Sequence, residues 1–349
     1  MFQSRRLAVP ISLITVVCFL FAVEPVAAES HTNGWANVGG APHAHESSGV
    51  LALRWGSRDY VDVKGGISLV SVSCPTTAFC VAVDNEGYEV TYRHGRWTHG
   101  TKVGLHDSMN AVSCASTAFC VAVDDAGFAY TYSSGRWSTG REVDALSNAG
   151  GLDDVSCPVA GFCMAVDGMG NEFSLHDGVW TRGERYTDIH SVASVSCAST
   201  IFCVAVSATN ASYAYTYDNG VWSGGRQLTF DGNDAAAGGA LSSVSCATRN
   251  FCLAVSGGGQ GFTYSDGRWL RGQGIAIGQE RLPALGSVSC ATPSFCVAQD
   301  DLYPFVYSAG RWLRGPETSL YGIASMSCPT RSFCVAVGDD FAATFRASA

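Results

Sequence analysis

The chain is a succession of short apolar runs cut by turn residues. "ISLVSVSC" reads as one strand, "CVAVD" as a second and "YEVTY" as a third with alternating character. "PTTAF", "NEG" and "RHG" separate them, and "RWTHG" opens a fourth. Gly, Asn and Asp between β-branched or aromatic runs are the mark of antiparallel hairpins. Nothing between these runs reads as a helix.

The pattern repeats. Two cysteines with five residues between them return as Cys74 and Cys80, Cys114 and Cys120, Cys157 and Cys163, Cys197 and Cys203, Cys246 and Cys252, Cys290 and Cys296, and Cys328 and Cys334. The first cysteines lie 38 to 49 residues apart. A tryptophan in "GRW" or "GVW" follows at 22 to 25 residues: Trp97, Trp137, Trp180, Trp222, Trp269 and Trp312. Four antiparallel strands in a unit of this length form one propeller blade. The expected fold is therefore all-β, a seven-bladed β-propeller of four-stranded antiparallel blades over residues 50–349. Small residues in the first two strands and aromatics in the last two suit blades that widen away from an axis. The seventh unit stops after its third strand. "VLALRW", residues 50–55, repeats the Arg-Trp pair and is expected to supply the missing outer strand. That would close the ring from both termini and remove its open edge.

The doubled marker, "SVSC" with "FC" and then "GRW", resembles secreted actinobacterial proteins of seven-bladed β-propeller type. The resemblance covers most of the chain. It implies secretion and a propeller, and it implies no established activity. "YSDGRW" and "YDNGVW" also resemble the Asp-box turns of sialidase-like propellers. They lack one residue of that pattern, and "SSGRW" and "SAGRW" have no Asp, so the likeness is read as turn chemistry.

The N-terminus changes the compartment. Arg5 and Arg6 precede an apolar stretch from Leu7 to Val23, and Val26 and Ala28 have the spacing of a cleavage site. Residues 1–28 read as a secretory signal peptide, with an uncleaved anchor as the rival. Residues 29–49 read as a flexible polar arm. Cleavage removes Cys18 and leaves fourteen cysteines, an even number in an oxidising compartment. Each pair sits at the end of a first strand and the start of a second, so a bond there staples the innermost hairpin. Zinc pairs usually sit closer together, and no histidine recurs with the period.

Charge narrows the partners. The net charge is −9, and Lys64 and Lys102 are the only lysines. Such a chain lacks the basic face that nucleic acid or an anionic membrane requires. The expected protein is a monomer, free of the membrane after signal cleavage, with an extracellular glycan or protein as partner.

Candidate chemistry gathers at one end of the blades. The turns between second and third strands carry Asp84 and Glu86, Asp124 and Asp125, Asp167, Asp300 and Asp301, and Asp339 and Asp340. Blades four and five have "SATNAS" and "SGGGQG" instead. Long polar links join the blades at the same end, and variable loops on a rigid scaffold commonly carry binding. The acids serve either as turn formers or as a ligand-binding rim. No cofactor is expected, and calcium is the one such a rim would suit. The tryptophans serve either outer-strand packing or sugar stacking. The expected function is a secreted binding module for carbohydrate or protein. A carbohydrate-active hydrolase or lyase using an Asp/Glu pair is the alternative, with His106 and His190 in the links as further candidates.

Overall fold

A computed structural model of the chain describes residues 55–61, 68–104, 108–145, 151–183, 191–229, 239–275 and 284–346. Residues 1–54, which include the stretches expected as signal peptide and polar arm, and His106 and His190 lie outside these.

Seven antiparallel sheets follow one another along the chain. In blade 1 the innermost strand is Leu69–Thr76, the second Phe79–Asp84, the third Tyr88–Arg93 and the outer one Arg96–Trp97, resumed at Thr101–Lys102. The innermost strands of consecutive blades touch in sequence, and that of the seventh touches that of the first, which makes a ring. The ring closes as the repeat count requires. The strand Trp55–Tyr60 pairs with Phe341–Arg346 as the outer strand of blade 7. Trp55 lies opposite Phe345, as Trp97 lies opposite Tyr92 in blade 1. Of the expected stretch 50–55 only Trp55 lies within the described residues, and among these the closing strand runs over Trp55–Tyr60. Its polar sequence, "WGSRDY", fits an outer strand, which has water beside it.

The core is divided into layers between blades. One face of blade 1 packs Val72, Ala82 and Val90 against Val335 and Val337 of blade 7. Its other face packs Val81 and Val83 against Met109, Val112 and Tyr130 of blade 2. Comparable layers fill the other five junctions. The second strands are buried on both faces, which explains why they read as continuous apolar runs rather than alternating ones.

All seven cysteine pairs are bonded within their own hairpins, with Cα atoms 3.9–4.1 Å apart. By the loop-entropy estimate each bond contributes about 2 kcal/mol.

The serine before the first cysteine has a second role that its small size alone did not reveal. Each hydroxyl oxygen accepts a hydrogen bond across a blade junction. Ser73 Oγ accepts the N–H of Cys114 at 2.9 Å, and the same bond recurs at every junction through Ser113, Ser156, Ser196, Ser245, Ser289 and Ser327. These N–H groups point off the inner sheet edge, where no fifth strand exists to receive them. The repeated "SVSC" therefore encodes a closed ring of hydrogen bonds.

Between third and fourth strands the turns are tight. His94, Ser134, Asp177, Asn219, Asp266 and Ala309 hold left-handed φ angles of 47–51°, each followed by a Gly of positive φ. That is the two-residue turn that favours Asn, Asp and Gly. The tryptophans that follow pack on the preceding strand. Tyr92–Trp97, Tyr132–Trp137, Tyr217–Trp222, Tyr264–Trp269 and Tyr307–Trp312 have ring centroids 5.3–5.5 Å apart.

Candidate ligand-binding face

Two ends of the ring differ in chemistry. The cysteine turns and the turns before Trp share one end, as the bond from His94 N to Ala78 O shows. The turns between second and third strands share the other end with the blade links, since Val103 N and Gly104 N both donate to Gly87 O. All nine candidate acids lie at this second end, but they divide into two groups.

The first group is built into the turns. Asp84 Oδ1 accepts Glu86 N–H at 2.9 Å and Tyr88 N–H at 2.8 Å. Asp124 Oδ1 accepts the N–H groups of Ala126 and Phe128, and its Oδ2 accepts the Tyr130 hydroxyl at 2.8 Å. Asp167 holds Met169 and Asn171 in the same way, and Asp300 holds Leu302 and Tyr303. Asp84, Asp124 and Asp167 are fully buried. Burial pushes the Asp84 carboxyl above its ordinary pKa, and the two backbone N–H groups partly offset this. In blades 4 and 5, Ser207 and Ser256 replace the Asp, and each hydroxyl accepts one N–H of its turn. Replacing Asp124 with Ala should therefore cost about 1–3 kcal/mol of stability, since several donors lose one acceptor. Chemical denaturation checks this, and an unchanged midpoint would show that the carboxylate does not support the turn.

The second group faces solvent. Glu86, Asp125, Asp301, Asp339 and Asp340 are exposed at the turn tips of blades 1, 2, 6 and 7. These four blades are consecutive around the ring, so the tips form one acidic arc. Asp339 is partly engaged, since Ser68 Oγ lies 3.3 Å from its Oδ1. The Lys102 ammonium donates to the Glu86 carbonyl within the arc. Among the described residues, no group of three or more His, Cys, Asp or Glu is placed to hold a metal ion.

Two further acids were not singled out from sequence. Blade 3 reads "LDDVSC" where blade 1 reads "LVSVSC". Asp154 thus takes the place of Ser71. Its Oδ2 accepts Val195 N–H across the junction at 2.8 Å, and its Oδ1 accepts its own neighbour, Val155 N–H. Burial pushes Asp154 up to about 6. Asp153 also rises to about 6, through burial first and then the charges of Asp167 and Asp154. The break in the repeated phrase was the signal that marked them.

No family model matches the sequence, and no curated protein matches it. The fold has solved counterparts. The chain is similar to a structure described as "YCF48 bound to D1 peptide", at a TM-score of 0.66 and 13% identity, covering 87% of this chain and 100% of that one. It is similar to the RRP9 WD40 repeats, with a TM-score of 0.68 and 10% identity, over 85% of this chain and 98% of the other. The WD40 β-propeller domain of Doa1 gives 0.61 and 13%, over 84% and 98%. At these identities the likeness establishes the propeller fold and nothing beyond it. Seven disulfides fit an oxidising compartment. Among the described residues no helix is long and apolar enough to cross a membrane.

Proposed function

We propose that this chain is an exported, monomeric binding module whose acidic arc docks a basic patch on an extracellular protein. The observation that carries the reading is the division of the acids. Asp84, Asp124, Asp167 and Asp300 hold the turns, while Glu86, Asp125, Asp301, Asp339 and Asp340 remain exposed across consecutive blades. Carboxylates spread over several turn tips on a rigid ring suit a broad cationic surface. Hydrolysis would need two of them converging on one bond. YCF48, a structural neighbour, is described with a bound peptide, which supports a polypeptide partner. The signal-like N-terminus and the resemblance to secreted "SVSC"/"GRW" repeat proteins support export.

The test uses the disulfide-bonded chain, with calcium present, against extracellular proteins and a glycan array. The expected result is capture of a basic protein that is lost in the combined variant Glu86→Gln, Asp125→Asn, Asp339→Asn and Asp340→Asn. Binding to a defined glycan alone would assign the face to carbohydrate. Release of a product from a polysaccharide would assign it to catalysis.

A further inference from the structure

A second site lies between the outer strands of blades 4 and 5, and it rests on observations independent of the acidic arc. In the preceding junction, the Trp222 indole N–H of blade 4 donates to the Glu172 carboxylate of blade 3. Glu172 lies opposite Val166, the last position but one of the second strand. Glu89 holds the same register opposite Val83 in blade 1. The indole of Trp137, from blade 2, favours the charged form of Glu89 while standing outside hydrogen-bond geometry. Burial raises the pKa of both glutamates.

Blade 4 has Ala214 at this register, opposite Val206. No carboxylate therefore reaches the tryptophan of blade 5. Trp269 is only 7% exposed, and its Nε1 is buried without a partner. A cavity of about 500 Å³, open to solvent, lies between the two outer strands and is lined by Ala214, Thr216, Tyr264 and Trp269, with Arg226 at its wall. An adjoining cavity of about 180 Å³ shares Arg226 and Trp269 and adds Arg271. Asp218 also lines the larger cavity, but Arg249 donates to both of its carboxylate oxygens at 2.9 Å. Val221 and Leu270 stand exposed beside the two cavities, at 69% and 52%.

We infer that this cavity binds the carboxylate of a glutamate side chain presented by an extended peptide. The ligand takes the place that Glu172 fills one junction earlier. Its oxygen accepts the Trp269 N–H, and its charge faces the Arg226 guanidinium. The exposed Val221 and Leu270 give the flanking peptide an apolar surface. The chain itself supplies the precedent for the ligand, since its own glutamate on a strand occupies the equivalent place.

The test is titration of the full disulfide-bonded chain with the capped peptide Ser-Gly-Glu-Gly-Ser, its Gln counterpart and free glucuronate. The Glu peptide is expected to bind at least about tenfold tighter than the other two. Ala214→Glu supplies the missing carboxylate from inside and should abolish the binding while leaving the fold intact. Trp269→Phe keeps a ring but removes the donor, and Arg226→Gln removes the charge; each should weaken binding at least about tenfold. If Trp269→Phe fails to fold, the other two variants carry the test. Absent binding, equal affinity for the Glu and Gln peptides, preference for glucuronate, or binding that survives Ala214→Glu would overturn the inference.

Discussion

A chain from which residues 55–60 are deleted should lose about 4 kcal/mol of stability or more. Trp55 meets Phe345 edge-on at 6.1 Å, and the Arg58 guanidinium lies 4.5 Å over the Phe341 ring. Arg58 also donates to Ser319 O at 2.5 Å. Beneath this strand Phe341, Ala343 and Phe345 are wholly buried. Truncating one large core aromatic costs about 3–5 kcal/mol. The deletion removes Trp55, bares two phenylalanines and opens a row of edge hydrogen bonds. No covalent link compensates, because every disulfide stays within one hairpin, six residues from end to end. Denaturant unfolding with the disulfides intact measures the loss. A variant as stable as the parent would mean that the ring does not depend on its N-terminal strand.

The second large effect is a pH dependence centred on blade 3. Asp153 and Asp154 each rise from 3.8 to about 6 in the folded chain. A raised carboxyl binds its proton more tightly when folded than when unfolded. Stability is therefore greatest below about pH 4 for these groups and falls as pH climbs to about 6. At neutral pH both are ionised and the cost is present, at most roughly 3 kcal/mol for Asp154 and less for Asp153, whose charge is screened by solvent. Asp154→Ser installs the residue that Ser71 and Ser194 provide in blades 1 and 4, where each hydroxyl accepts an N–H across its junction. The variant should gain about 1–3 kcal/mol near pH 7.5 and almost nothing near pH 4. Unfolding curves at the two pH values check it. An equal change at both would show that the effect is steric rather than one of charge.

The sequence revealed the ring because two markers run in phase. Cysteine and tryptophan positions counted the blades, placed every disulfide and exposed the missing strand. The continuation of that strand through "GSRDY" was not legible, because those residues are polar. Apolar content is a poor guide on an outer edge, where Tyr60 is 75% exposed. The acidic turns were legible as a group, but their division was not. Asp84 and Glu86 lie two residues apart, and only the backbone path makes one a buried acceptor and the other a solvent-facing tip. The serine ring and the pairing of Ala214 with Trp269 depend on contacts between blades. Such contacts join residues about one repeat apart, and no local spacing rule reports them.

Salt titration of the captured partner tests the acidic arc most directly. Exposed charges across an interface are screened between about 0.05 and about 0.5 M salt, as the Debye length shrinks from above 10 Å to a few ångströms. Affinity for the parent chain should fall steeply over that range. The variant Glu86→Gln, Asp125→Asn, Asp339→Asn and Asp340→Asn should bind weakly at low salt and show a nearly flat dependence. Salt-independent binding of the parent, retained unchanged in the variant, would contradict docking through the acidic arc.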